Sequence, residues 1–158
     1  MGAEYILEQL ASVYYDYAIG KNSDPSIGKG FARMFRHWVS YNNQKVDEED
    51  KKFLSDVERL VAELVSELSE RAENDPDSAG RLSSKAVDML LFPGQNAGRE
   101  KQWFMLVAAY QCESLFQFMS GDDLRTVCDR MLKRTPRRMM LPKELELLES
   151  AEKILNSK

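Results

Sequence analysis

Apolar residues recur along most of this chain at three- and four-residue steps, the spacing that brings side chains onto one face of an α-helix. Ile6, Leu7, Leu10, Val13, Tyr14 and Tyr17 predict a first helix ending near Gly20, and residues 21–30, with Asp24-Pro25 and two glycines, read as a loop. Phe31, Phe35, Trp38 and Asn42 mark one stripe of a second helix, with Lys29, Arg33, Arg36 and His37 largely on another. The clearest pattern follows. Leu54, Val57, Val61, Leu64 and Leu68 alternate in steps of three and four, and Phe53, Leu60, Val65 and Ala72 widen the stripe. Asp47-Glu48-Glu49-Asp50 precedes it, an acidic opening suited to the positive end of a helix dipole. The spacing predicts a long acidic central helix over about 47–74, ended by Asn74-Asp75-Pro76.

A shorter fourth helix carries Leu82, Ala86, Met89 and Leu90 and closes at Phe92-Pro93-Gly94. From about 96 to 119 the chain is apolar nearly all round between Trp103 and Tyr110, which predicts a buried helix surrounded by others. Leu124, Val127, Cys128 and Met131 define a sixth helix, capped by Ser120 or Asp122 and ended by Thr135-Pro136. Leu141-Pro142 opens a seventh with Leu145, Leu148, Ala151 and Leu155 facing inward. All five prolines fall at helix boundaries, and no run of alternating β-branched residues reads as a strand. The expected fold is all-α: one domain over 1–158, a single irregular bundle of six or seven helices with the long acidic helix and the buried helix at its centre. The only subdivision the pattern suggests is into lobes 1–74 and 81–158, and no internal repeat of fixed period is present.

Composition supports this picture. Leu, Met and Ala total 38 residues against 15 for Ile, Val and Thr, a helix-favouring balance, and the 43% apolar content suffices for a core in a chain of 158 residues. The densest apolar run, Trp103–Tyr110, is far shorter than the roughly 18–20 residues that span a bilayer. With no leader-like start and only two cysteines, Cys112 and Cys128, outside any C-x-x-C pair, the expectation is a cytoplasmic protein without membrane contact.

Candidate chemistries fall away one by one. The lone histidine, His37, excludes paired Glu-x-x-His motifs, H-E-x-x-H sites and Cys₂His₂ sites. Cys112 and Cys128 occupy apolar positions and read as core residues rather than nucleophiles. Asp122-Asp123 lacks a third acid, since Thr126 stands where a D-D-x-x-D motif needs one, and Glu48-Glu49 is followed by Lys52 where E-E-x-x-E needs an acid. Gly28-Lys29-Gly30 lacks the spacing of a phosphate loop. The sequence therefore predicts no catalytic residue, no cofactor and no metal: a non-enzymatic protein.

Charge carries the remaining information. The net −4 conceals −7 over residues 47–75 and +4 over 81–138. Arg125, Arg130, Lys133, Arg134, Arg137 and Arg138 fall within fourteen residues that hold one acid, Asp129, and Met139-Met140-Leu141 follows directly. Six of the eight methionines lie between Met89 and Met140, and flexible thioethers suit adaptable binding surfaces. These six cations with Met139 and Met140 form the expected partner-binding set, and Lys29, Arg33 and Arg36 extend the patch if the second helix lies nearby. The functional expectation is a protein-interaction module, an adaptor or small subunit of a larger intracellular assembly, whose partner is acidic or amphipathic; self-association stays open. The alternative is an accessory nucleic-acid-binding subunit that contacts phosphates through residues 125–138. The long acidic helix is a third, intramolecular partner for the same cations.

Overall fold

The computed structural model describes residues 2–19, 48–93 and 99–158, with the backbone alone at 99–102. The chain is all-α: six α-helices and no strand occur among the described residues. They are α1 (Ala3–Ile19), α2 (Glu48–Asn74), α3 (Pro76–Leu91), α4 (Arg99–Ala109), α5 (Gly121–Arg134) and α6 (Pro142–Asn156). The expected second helix with Lys29, Arg33, Arg36 and His37, and the Gly28-Lys29-Gly30 segment, lie outside the described residues.

Helices α1 and α2 form an antiparallel pair fixed at both ends. Near the end of α1, the Tyr17 hydroxyl donates to Asp50 Oδ1 at 2.6 Å in the first turn of α2. Near its start, Glu4 takes two hydrogen bonds from Arg71 in the last turn, at 2.5 and 3.2 Å. Between these clasps the α1 face of Ile6, Leu10 and Tyr14 meets the α2 stripe of Val57, Val61, Leu64 and Leu68, all buried. Tyr17 stacks on Phe53 with centroids 3.9 Å apart, and Tyr14 meets the same ring edge-on at 5.1 Å. The Tyr14 hydroxyl is buried without a hydrogen-bond partner among the described residues, and desolvation raises its pKa.

Only Asp75 separates α2 from α3. Its backbone N–H donates to the Arg71 carbonyl at 2.7 Å and its carboxylate accepts from the Ser78 N–H at 3.1 Å. Pro76 then occupies the first helical turn, where its missing N–H costs nothing. The stretch expected as one buried helix over 96–119 departs from the sequence pattern. Its α-helix stops at Ala109, and Tyr110–Phe118 continues as nine residues of 3₁₀ helix. Runs longer than three or four residues are uncommon in that form, so tertiary contacts must hold it.

Those contacts come from α3. A Cβ placed on Gly80 would sit 2.9 Å from the Phe118 carbonyl oxygen, and the buried Ser83 hydroxyl donates to the Leu115 carbonyl at 2.5 Å. Small residues on α3 thus admit the neighbouring backbone to close range. At about 2.0 Å of rise per residue the nine residues run about 18 Å along α3, where an α-helix would cover about 14 Å. Nor is α4 surrounded: Met105, Ala108 and Ala109 are buried, but Trp103 is 47% exposed. The continuous apolar run offers more side chains than the neighbouring helices cover.

Helices α5 and α6 form a second antiparallel pair, with Leu155 packed against the start of α5 at Gly121. Leu124, Val127, Cys128 and Met131 of α5 and Leu147, Leu148 and Ala151 of α6 are buried in the core that also takes in α1 to α4. No helix among the described residues is long and apolar enough to cross a membrane.

Candidate functional site

The basic stretch singled out in the sequence runs along α5 and into its connection with α6. Ser120 caps α5 by accepting from the Asp123 N–H at 3.2 Å, and Asp122 and Asp123 lie in the first turn, where the dipole favours them. The cations collect at the opposite end. Thr135 ends the helix in extended conformation, Pro136 follows, and Arg137–Met139 makes one turn of 3₁₀ helix. Pro142 occupies the first turn of α6, and Glu144 reaches back to accept from the Leu141 N–H at 3.4 Å, half of a capping box that leucine cannot complete.

Three of the six cations are engaged inside the molecule, and not by the acidic helix α2. Arg130 pairs with Asp88 of α3 and lays its guanidinium 3.8 Å above the Phe92 ring. Arg134 donates to the Leu91 carbonyl at 2.5 Å, closing the end of α3, approaches Glu144 at 3.9 Å and lies 5.1 Å from the Phe92 centroid. Arg137 forks onto Glu152 of α6 with hydrogen bonds of 3.2 and 2.8 Å. The acidic helix, the expected intramolecular partner, is thus replaced by Asp88 of α3 and by Glu144 and Glu152 of α6. Arg130 and Arg134 lie one turn apart on the side of α5 that faces α3, while Arg137, past the end of the helix, turns to α6.

The other three remain at the surface. Arg125 lies 3.5 Å from Asp122 one turn earlier, a solvated pair of little energetic weight. Lys133 and Arg138 are exposed, with no ion pair within 4 Å among the described residues. Beside them Met139 is 67% and Leu141 40% exposed, whereas Met140 packs against the core. The exposed apolar pair is thus 139 and 141, not 139 and 140. Both face solvent because the intervening residue is the one drawn inward.

Among the described residues, the other reactive side chains are buried or engaged. Cys112 and Cys128 are unpaired thiols buried in the core, and burial pushes both upward and keeps them protonated, with the carboxylates of Glu113 beside Cys112 and Glu152 beside Cys128 adding to it. Tyr110 is also raised, by burial first and by the Glu144 charge second. An open depression of about 430 Å³ is lined by Glu67, Glu70, Arg71 and Ser78, but the Arg71 there is held by Glu4 and Ser78. No group of three or more His, Cys, Asp or Glu among the described residues is placed to hold a metal ion.

Some partners the sequence could have announced and did not. Asp50 is 1% exposed although it belongs to the acidic opening of α2. Its signal is its position, three before Phe53 and seven before Val57, on the stripe itself. Asp88, Glu144 and Glu152 carry no such mark, because they meet their arginines across helices. Comparisons with protein-family models, with curated proteins and with solved structures found none that matches this chain.

Proposed function

We propose that this chain is a non-enzymatic helical interaction module that docks an acidic, amphipathic segment of a partner protein on the α5–α6 connection. One observation carries the reading. Met139, the most exposed large hydrophobic residue among those described, shares a three-residue span with exposed Leu141 and directly follows the unpaired Arg138. Scattered exposed apolar residues are ordinary on protein surfaces, and Tyr5, Tyr15 and Ile19 on α1 are of that kind. The connection differs because apolar and uncommitted cationic groups stand together, which specifies what a partner must offer: an apolar side chain flanked by carboxylates.

Sequence-independent nucleic-acid contact calls on the same cations, and the commitment of Arg130, Arg134 and Arg137 to Asp88, Glu144 and Glu152 weighs against it. Titration with oligonucleotides at two salt concentrations separates the readings, since phosphate contacts give a steep salt dependence. The docking reading is tested by capture from native extract with the wild-type chain, Arg138→Glu and Met139→Asp. The expected result is a captured protein lost in both variants while their thermal midpoints stay unchanged. Equal capture by all three chains removes the assignment.

A further inference from the structure

We infer that Thr135 is a phosphoacceptor site for a proline-directed protein kinase. It is the only serine or threonine in the chain that precedes a proline, and the sequence around it reads Lys133-Arg134-Thr135-Pro136-Arg137-Arg138. Its backbone suits transfer. Thr135 (φ −142°, ψ 117°) and Pro136 (φ −57°, ψ 145°) are extended, the form in which a peptide lies along an enzyme cleft; Thr135 is half-buried, and Pro136 and, beyond it, Arg137 and Arg138 are exposed. The other threonine makes the contrast. Thr126 lies inside α5 with its hydroxyl donating to the Asp122 carbonyl at 3.0 Å, whereas the Thr135 hydroxyl makes no hydrogen bond among the described residues.

In the transfer, the Thr135 oxygen attacks the γ-phosphorus of a nucleoside triphosphate. The bond to the bridging oxygen breaks, the nucleoside diphosphate leaves, and the hydroxyl proton passes to the kinase base. The product places a charge of about −1.5 to −2 among Lys133, Arg134, Arg137 and Arg138. At the C-terminal end of α5 the dipole opposes that charge, so these arginines must answer it. Arg134, 3.9 Å from Glu144, adjoins Thr135, and Arg138, three residues on, has no ion pair among the described residues. With Arg134 and Arg137 already facing Glu144 and Glu152, the added charge offsets what Lys133 and Arg138 contribute. In so far as this weakens the hold on an acidic partner, the consequence rests on the docking role proposed above.

The purified full chain is incubated with magnesium ATP and a proline-directed serine/threonine kinase, beside Thr135→Ala, Pro136→Ala and Thr126→Ala, and the sites are mapped by peptide mass spectrometry. One phosphoryl group is expected, on Thr135, retained in Thr126→Ala and lost in Thr135→Ala and Pro136→Ala, with circular dichroism showing each variant folded. Incorporation that persists in Thr135→Ala, or a wild-type chain left unmodified while a control substrate is phosphorylated, overturns the assignment. No partner enters this assay, so its failure is distinct from failure of the docking reading.

Discussion

Replacing Gly80 by alanine sets two effects of opposite sign against each other. Inside a helix, alanine is favoured over glycine by about 0.5–1 kcal/mol, because glycine loses more backbone entropy on folding. At Gly80 the added Cβ would lie 2.9 Å from the Phe118 carbonyl oxygen, closer than such carbons approach in folded proteins. The opposing atom is backbone and cannot rotate away. Helix α3 and the 3₁₀ segment must separate by several tenths of an ångström, which loosens the packing between them. Overpacking of this kind costs typically about 1–3 kcal/mol. At the middle of both ranges the cost exceeds the gain by about 1 kcal/mol, a fall of about 2–4 °C in thermal midpoint for a chain of this size. Thermal and urea denaturation followed by circular dichroism measure it, with Ala62→Gly at an exposed site of α2 reporting the glycine–alanine propensity difference alone. A Gly80→Ala chain more stable than wild type would refute the argument that close backbone approach holds the nine-residue 3₁₀ run.

Three further outcomes are expected. The Arg71 guanidinium holds the Glu4 carboxyl at about 2 rather than 4.5, so this pair stabilises the fold above the unfolded value and loses its effect as pH falls from 4.5 to about 2. The stability advantage of wild type over Glu4→Gln, measured by thermal midpoint, should shrink through that window and stay constant above it. Tyr17→Phe leaves the buried Asp50 without its 2.6 Å donor, and hydrogen bonds to charged groups are worth about 1.5–3 kcal/mol, so urea denaturation should show a loss of that size. Cys112 and Cys128 should resist a disulfide reagent in native buffer and both react in urea; fast native labelling of either would contradict their burial.

The helices were legible wherever one face is buried against one neighbour. Leu124, Val127, Cys128 and Met131, or Val57, Val61, Leu64 and Leu68, repeat at the helical period because that period decides which side chains leave water. The switch to 3₁₀ geometry at Tyr110 was not legible, since no glycine or proline between 99 and 120 marks it. Its cause lies some thirty residues earlier in the chain, in Gly80 and Ser83. Asp50 was masked by a sufficient explanation: its charge suits the helix dipole, so its place on the apolar stripe carried no weight. For the candidate site, the sequence located the charges and not their partners. Arg134 and Arg138 look alike in the chain, and only tertiary packing assigns one to Leu91 and Glu144 and leaves the other in solvent.

The fork between Arg137 and Glu152 ties the single turn ahead of Met139 to the body of α6, and Met140 anchors the residue after it. The thioether of Met139 therefore stands on a short pedestal secured on both sides. A ligand that meets it loses little entropy in immobilising backbone, because folding has already ordered that backbone. Cutting the fork, as in Glu152→Ala, loosens that tip, and the lifetime of a complex should shorten more than association slows.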